Sequence, residues 1–155
     1  MIIEVPSIEE YDKINNLAIE VHNMHVEWNN DLYKYTDVVI TEDEYKELID
    51  TKNIYCAKID NKIVGYIVIA IREKNINDSK MRYRKILKIE SICVTKNYRN
   101  KGIGTKILEF IDTLAKDNNC TDIYLDINNH NENAIKLYEK LGFIKKQITY
   151  SKKVN

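Results

Sequence analysis

The sequence predicts an α/β protein, a mixed sheet with helices on both faces. Three observations predict it. Two apolar patterns of helical period precede a block of three apolar strands. A strand–helix–strand–helix–strand run follows, and such a run makes a right-handed crossover between neighbouring parallel strands. The 155 residues are enough to bury a core without disulfide or metal staples.

In order, Ile2–Val5 reads as a short strand stopped by Pro6. Ser7 and Glu10 form a capping box. It opens a helix whose stripe is Ile8, Tyr11, Ile14, Leu17, Val21, Met24 and Trp28. Asn29-Asn30-Asp31 breaks that helix. Thr41 and Glu44 cap a second, shorter one, with Tyr45, Leu48 and Ile49 on one face. Residues 54–59 and 62–72 read as two strands joined by the tight turn Asp60-Asn61. The polar stretch 73–81 is a loop. A long strand spans 83–94, and 96–101 is a basic turn. A helix runs from Gly102 to about Asp117, with Ile103, Ile107, Leu108, Ile111 and Leu114 as its stripe. Residues 121–127 read as a strand and 131–140 as a helix ended by Gly142 as its C′ glycine. The apolar content of 143–152 predicts a final strand.

The balance of 24 basic and 24 acidic side chains excludes a strongly basic nucleic-acid binder. Four glycines and one proline leave no low-complexity linker, so one domain over residues 1–155 is expected. The longest apolar run, 63–71, is far short of the ~20 residues of a membrane span. The first ten residues carry no basic leader pattern. Cys56, Cys93 and Cys120 are odd in number and widely spaced, without a Cys-x-x-Cys pair. Reduced thiols in a cytoplasmic protein are expected, with neither a disulfide frame nor a metal site.

The chemistry concentrates in two segments. In the first, Lys96-Asn97-Tyr98-Arg99-Asn100-Lys101-Gly102-Ile103-Gly104 joins a strand end at Val94 to a helix start. Two glycines at a helix entry let backbone approach a ligand. The first helical amides lack intrahelical partners and sit at the positive end of the macrodipole. The turn therefore suits an anion such as a pyrophosphate. It is neither a P-loop nor a dinucleotide fingerprint, since both need glycines that are absent here. By itself it also fits a plain basic strand-to-helix turn.

The second segment is Asn128-Asn129-His130 and the helix through Asn133-Ala134, Leu137-Tyr138-Glu139-Lys140 and Leu141-Gly142-Phe143. Arg-x-x-Gly-x-Gly followed about 30 residues later by Asn-x-x-Ala-x-x-Leu-Tyr-x-Lys-x-Gly-Phe resembles the GNAT acetyltransferase superfamily. In this chain the asparagine directly precedes the alanine. The resemblance implies the GNAT fold: a mixed, mostly antiparallel sheet splayed at a parallel strand pair, with helices on both faces. It implies acetyl-CoA as co-substrate. Its pantetheine arm would pair with Ile92, Cys93 and Val94, and its pyrophosphate would rest on the amides of Arg99, Asn100, Lys101, Gly102, Ile103, Gly104 and Thr105. Asn128 and Asn133 would line the far side.

Acetyl transfer to a primary amine by direct attack needs a deprotonated amine, a polarised thioester carbonyl and a proton for the leaving thiolate. The resemblance casts Tyr138 as the general acid. On periodicity alone Tyr138 reads as a core aromatic on the stripe of Ala134 and Leu141 rather than as an acid. Glu90, four residues before Val94, is the expected base, or else a charge on a solvated strand face. The Val94 N–H would polarise the carbonyl. His22 and His25, spaced i, i+3, read as surface or substrate-pocket residues, not as half of a metal site. His130 reads as a turn residue and Cys93 as a buried thiol. The acceptor, a small-molecule, protein or peptide amine, is expected between residues 26–36 and the 72–84 loop. Trp28, Asp31, Tyr33 and Tyr35 would suit a cation. Arg72, Lys80, Arg82, Arg84 and Lys85 would suit an acidic or peptide substrate. No nucleic acid or membrane partner is expected, and a homodimer is common in the family. Two other readings stand beside the enzyme: a non-catalytic acyl-CoA-binding module, and a phosphate- or nucleotide-binding domain unrelated to CoA.

Overall fold

The computed structural model describes residues 1–154; Asn155 lies outside the described residues. The elements are β1 (Ile2–Glu4), α1 (Tyr11–Trp28), α2 (Glu42–Asp50), β2 (Ile54–Ile59), β3 (Lys62–Lys74), β4 (Arg84–Val94), α3 (Ile103–Asp117), β5 (Asp122–Leu125) and α4 (Glu132–Lys140). The five strands form one sheet in sequence order. Neighbours are antiparallel except β4 and β5, which run parallel across the α3 crossover. This is the mixed, mostly antiparallel sheet that the sequence predicts.

Local chemistry sets most element ends. Both capping boxes form, Ser7 with Glu10 and Thr41 with Glu44. The first opens a 3-10 turn at Ile8–Glu10, so α1 proper starts at Tyr11. Asp60 and Asn61 both have positive φ, 48° and 62°, which makes the β2–β3 link a type I′ hairpin. Gly142, at φ 88°, closes α4 in a Schellman motif: its N–H donates to the Glu139 carbonyl, and the Phe143 N–H donates to that of Tyr138.

The two faces of the sheet carry separate apolar clusters. Ile103, Ile107, Leu108 and Ile111 of α3 pack with Leu87, Ile89 and Ile67 on one face, and Tyr138 of α4 joins them. Ile14, Leu17 and Ala18 of α1 and Tyr45 of α2 pack with Ile54, Tyr66 and Cys93 on the other. Helices therefore cover both faces, as expected.

Two elements differ from the sequence reading. Residues 143–152 form no strand. They carry strand propensity, but a strand exists only where its backbone groups find a partner. No described segment of the chain pairs with them. The expected strand 121–127 is likewise shorter, ending at Leu125.

Candidate active site

The site begins at an irregularity in β4. Its register against β3 passes from Ile89 opposite Ile69 to Ser91 opposite Val68, so Glu90 is the extra residue of a β-bulge. A bulge reverses which face later side chains take. Leu87 and Ile89 accordingly belong to the α3 side, whereas Cys93 belongs to the α1 side. The β4–β5 ladder also stops here. It pairs Ile86–Ile89 with Asp122–Leu125 and goes no further. Among the described residues no strand lies beside the β4 edge from Glu90 to Val94, the splay that the resemblance implies.

Backbone alternation orients that open edge. The Thr95 N–H donates to the Val64 carbonyl on β3. The peptide groups of Val94 and Ile92 therefore point the other way, into the gap. The Val94 carbonyl on that side accepts from Arg99 Nε at 2.8 Å.

Two cavities meet along the gap. One, of about 340 Å³, lies over the glycine turn and is lined by Val94, Arg99, Asn100, Gly102, Gly104 and Thr105, with Asn133 and Leu137 opposite. The other, of about 410 Å³, lies at the splay and is lined by Glu90, Ser91, Leu125, Asp126 and Asn128, with Tyr33 above them. Val21, His25, Ile92, Asn131 and Tyr138 line both and form the seam.

The glycine turn is built for close approach. Asn100 (φ 59°) and Gly102 (φ 77°) are both left-handed, and Gly102 is the N-cap of α3. Among the described residues no side chain caps the α3 N-terminus, so its amides stay available to a ligand. Arg99 is held elsewhere. Its Nη2 donates to Glu20 Oε1 at 2.7 Å, and Glu20 also accepts from Thr95 Oγ1 and the Lys96 N–H. Glu20 thus fastens α1 to the end of β4 and to the start of the turn. The Arg99 backbone and the guanidinium N–H groups not used by Val94 and Glu20 are left to serve a ligand.

Tyr138 is 8% exposed, and burial pushes its hydroxyl up to about 12. Its ring packs on Phe143 at 5.4 Å between centroids. No described residue hydrogen-bonds the hydroxyl, and no fully buried side-chain polar atom among the described residues lacks a partner. The hydroxyl therefore opens into the seam. Glu90 is exposed and accepts from Arg72 Nη2 at 3.1 Å. His25 is held below the usual imidazole range, first by burial and then by His22. Its ring lies between Trp28 and Tyr33, with centroids 5.7 and 5.8 Å away. His22 contacts the Lys34 carbonyl at 2.7 Å instead. No cluster of metal-ligating side chains occurs among the described residues. Asn128 folds back on the backbone N–H and ring of His130, and His130 stacks on Trp28.

The structure gathers Tyr138, Glu90, Ile92, Val94, Asn128 and the glycine turn around one gap, and Cys93 lines the glycine-turn cavity from β4. Tyr35 and Asp31 line neither cavity. Asn131 and Glu20 are not among the residues singled out from sequence. Asn131 caps α4 by accepting the Ala134 N–H. Its signal was the Asn131-x-x-Ala134 spacing. Glu20 had no local signal, because its partners lie 75 or more residues away.

This geometry agrees with what the chain is similar to. The family model described as Acetyltransferase (GNAT) family matches residues 17–143. The chain therefore belongs to the GNAT acetyltransferase family. An N-alpha-acetyltransferase of Saccharolobus solfataricus is 38% identical over 97 residues, 61% of this chain and 58% of that protein. A Sulfurisphaera tokodaii N-alpha-acetyltransferase is 31% identical over 139 residues, covering 88% and 74% respectively. The chain thus spans little more than half of the first relative's length. Among solved structures, a mutant Bacillus halodurans protein superposes with a TM-score of 0.94 over 100% of both chains at 24% identity.

Proposed function

We propose that the chain binds acetyl-CoA across the glycine-turn cavity and passes its acetyl group to a primary amine held in the cavity at the splay. The observation that carries this reading is the seam, where two differently lined cavities meet at Tyr138. The uncapped amides from Arg99 to Thr105 suit a diphosphate. The outward peptide groups of Ile92 and Val94 suit the amides of a pantetheine arm. Asn133 and Asn128 flank it from the α4 side.

The amine nitrogen attacks the thioester carbonyl directly, and the C–S bond breaks. Glu90 receives the ammonium proton, directly or through water, because it is the carboxylate that the bulge turns toward the splay. The Val94 N–H polarises the carbonyl and holds its developing negative charge. The Tyr138 hydroxyl, still protonated far above neutral pH, donates to the departing sulfur. The acceptor side sets Tyr33 and His25 beside Glu90 and Asp126, which fits a cationic amine. Arg72 and Arg84 are already engaged by Glu90 and Asp122, which weakens the case for an acidic substrate. The free thiols fit a cytoplasmic protein. No helix among the described residues is long and apolar enough to cross a membrane.

The test is acetyl-CoA turnover against a panel of small and peptide amines, with Tyr138→Phe alongside. The variant keeps the packing and loses the proton. We expect kcat to fall about 100-fold or more, with the acetyl-CoA KM within about threefold. Wild-type kcat should show no alkaline limb below about pH 10, since Tyr138 titrates near 12. Coenzyme binding without turnover on any amine would instead favour a non-catalytic acyl-CoA-binding module.

A further inference from the structure

Acetyl transfer by direct attack moves more than one proton. The arriving ammonium gives its first to Glu90. Once the nitrogen has attacked it is cationic, and it must shed another before the amide is neutral. Tyr138, having given its proton to the departing sulfur, is a phenolate and needs one back before the next turnover. Burial pushes its hydroxyl up to about 12, so near neutral pH that phenolate takes up a proton readily. A side chain that receives the nitrogen's proton and can return it to Tyr138 has to face both cavities.

The residues that line both are Val21, His25, Ile92, Asn131 and Tyr138. Of these only His25 and Tyr138 titrate. The His25 ring sits between Trp28, which lines the glycine-turn cavity, and Tyr33, which lines the cavity at the splay. Those two rings hold the imidazole across the junction. No described residue hydrogen-bonds either of its ring nitrogens, and neither is a sealed, partnerless atom, so they open into the cavities. The other histidines are engaged: His22 with the Lys34 carbonyl and His130 with Asn128. Burial first, then His22 on the same helix, hold His25 below the usual imidazole range, so near pH 7 it has a lone pair to offer. Tyr33, Glu90 and Asp126 share the splay cavity with it, and Tyr98 and Arg99 share the glycine-turn cavity. Glu90 is paired with Arg72, Asp126 with Lys88 and Arg99 with Glu20, so none of them presents it with an uncompensated charge. The junction thus sets a protonated acid and a neutral base side by side, two groups whose surroundings separate their roles.

We propose that His25 is a further catalytic residue, accepting the proton that the attacking nitrogen sheds after the C–N bond forms and returning it to the Tyr138 phenolate. This role rests on acetyl transfer being the reaction of the site. The balance closes over one turnover. The N–C bond forms and the C–S bond breaks. The first ammonium proton passes through Glu90 to solvent, and the second passes to His25. The sulfur leaves as a thiol with the Tyr138 proton, His25 restores that proton, and both side chains end as they began.

The test uses the full chain with acetyl-CoA and, as acceptors, butylamine, glycinamide and a tetrapeptide with a free amino end. His25→Gln keeps a polar side chain but cannot carry a proton, and circular dichroism checks its fold. We expect its kcat to fall about 100-fold, with the acetyl-CoA KM within about threefold. Wild-type kcat should show an acid limb below about pH 6.5, because an imidazolium has no lone pair to accept with, and His25→Gln should lack that limb. His25→Ala leaves room for a small base at the junction. Added imidazole should restore its rate at least about tenfold, and the rescue should fade as falling pH turns the additive into imidazolium. A kcat in His25→Gln within about threefold of wild type overturns the proposal. So does an acid limb that survives in that variant, and so does a loss in His25→Ala that imidazole leaves untouched. A wild type that binds coenzyme A and turns over none of these amines takes down the acetyl-transfer reading itself, and the role of His25 with it.

Discussion

Gly65 shows how much of the site rests on single atoms. It lies on β3 opposite Val94, at the β4 end that borders the gap. A Cβ built there would stand 2.6 Å from the Cys93 carbonyl oxygen and 3.3 Å from Ile107 Cδ1. The first neighbour is backbone and cannot swing aside. Gly65→Ala must therefore push the end of β4 into the gap. Overpacking of this kind costs about 1–3 kcal/mol, a fall in Tm of roughly 2–4 °C per kcal/mol for a chain of this size. Calorimetry should show that fall together with weaker coenzyme A binding. An unchanged affinity would mean that the β4 edge does not contact the coenzyme. Not every functional detail at this scale was legible in the sequence. Arg99 was readable as a charge near phosphates, yet Glu20 and the Val94 carbonyl claim its guanidinium. Glu90 was readable as an acid on a strand, but its bulge depends on register against β3, which no local pattern encodes.

Individual elements were most legible where a residue type alone settles the backbone. The two capping boxes, the Asp60-Asn61 turn and the Gly142 stop all depend on neighbours within a few residues. The tail after Gly142 was misread because strand formation needs a distant partner that propensity does not supply. The entry to α3 separates two glycine roles. Nothing lies within 4 Å of a Cβ at Gly102, but its φ of 77° strains any other residue. Gly104 has an ordinary backbone, and its Cβ would meet Leu137 Cδ2 at 3.3 Å, on the α4 wall of the cavity. Gly102→Ala should thus cost about 1 kcal/mol of stability, read by urea unfolding. Gly104→Val should mainly reduce coenzyme A affinity, read by calorimetry, because its branches project between α3 and α4. Equal losses of affinity and stability in both variants would mean that the turn has no ligand role.

The whole molecule is two apolar clusters sharing one sheet, and the gap is where neither seals it. α1 belongs to one cluster through Ile14 and Leu17, yet its C-terminal half lines the glycine-turn cavity through Met24 and Trp28. α3 and α4 belong to the other cluster and line the same cavity through Ile103 and Leu137. Apart from these walls, Glu20 with Arg99 is the polar tie across that opening. A molecule seated in the cavity would touch both halves and would be lost on unfolding. Ligand at 100 times its dissociation constant stabilises a fold by about 2.7 kcal/mol. For a chain of this length that corresponds to a Tm rise of roughly 5–10 °C. Coenzyme A should give this rise at fixed protein concentration, and Gly104→Val should give much less of it. ATP and NAD lack the pantetheine arm that the open β4 edge would pair with, so they should give little at the same concentration. A comparable rise with ATP would assign the glycine turn to nucleotides in general, and the two halves would then be joined through the phosphates alone.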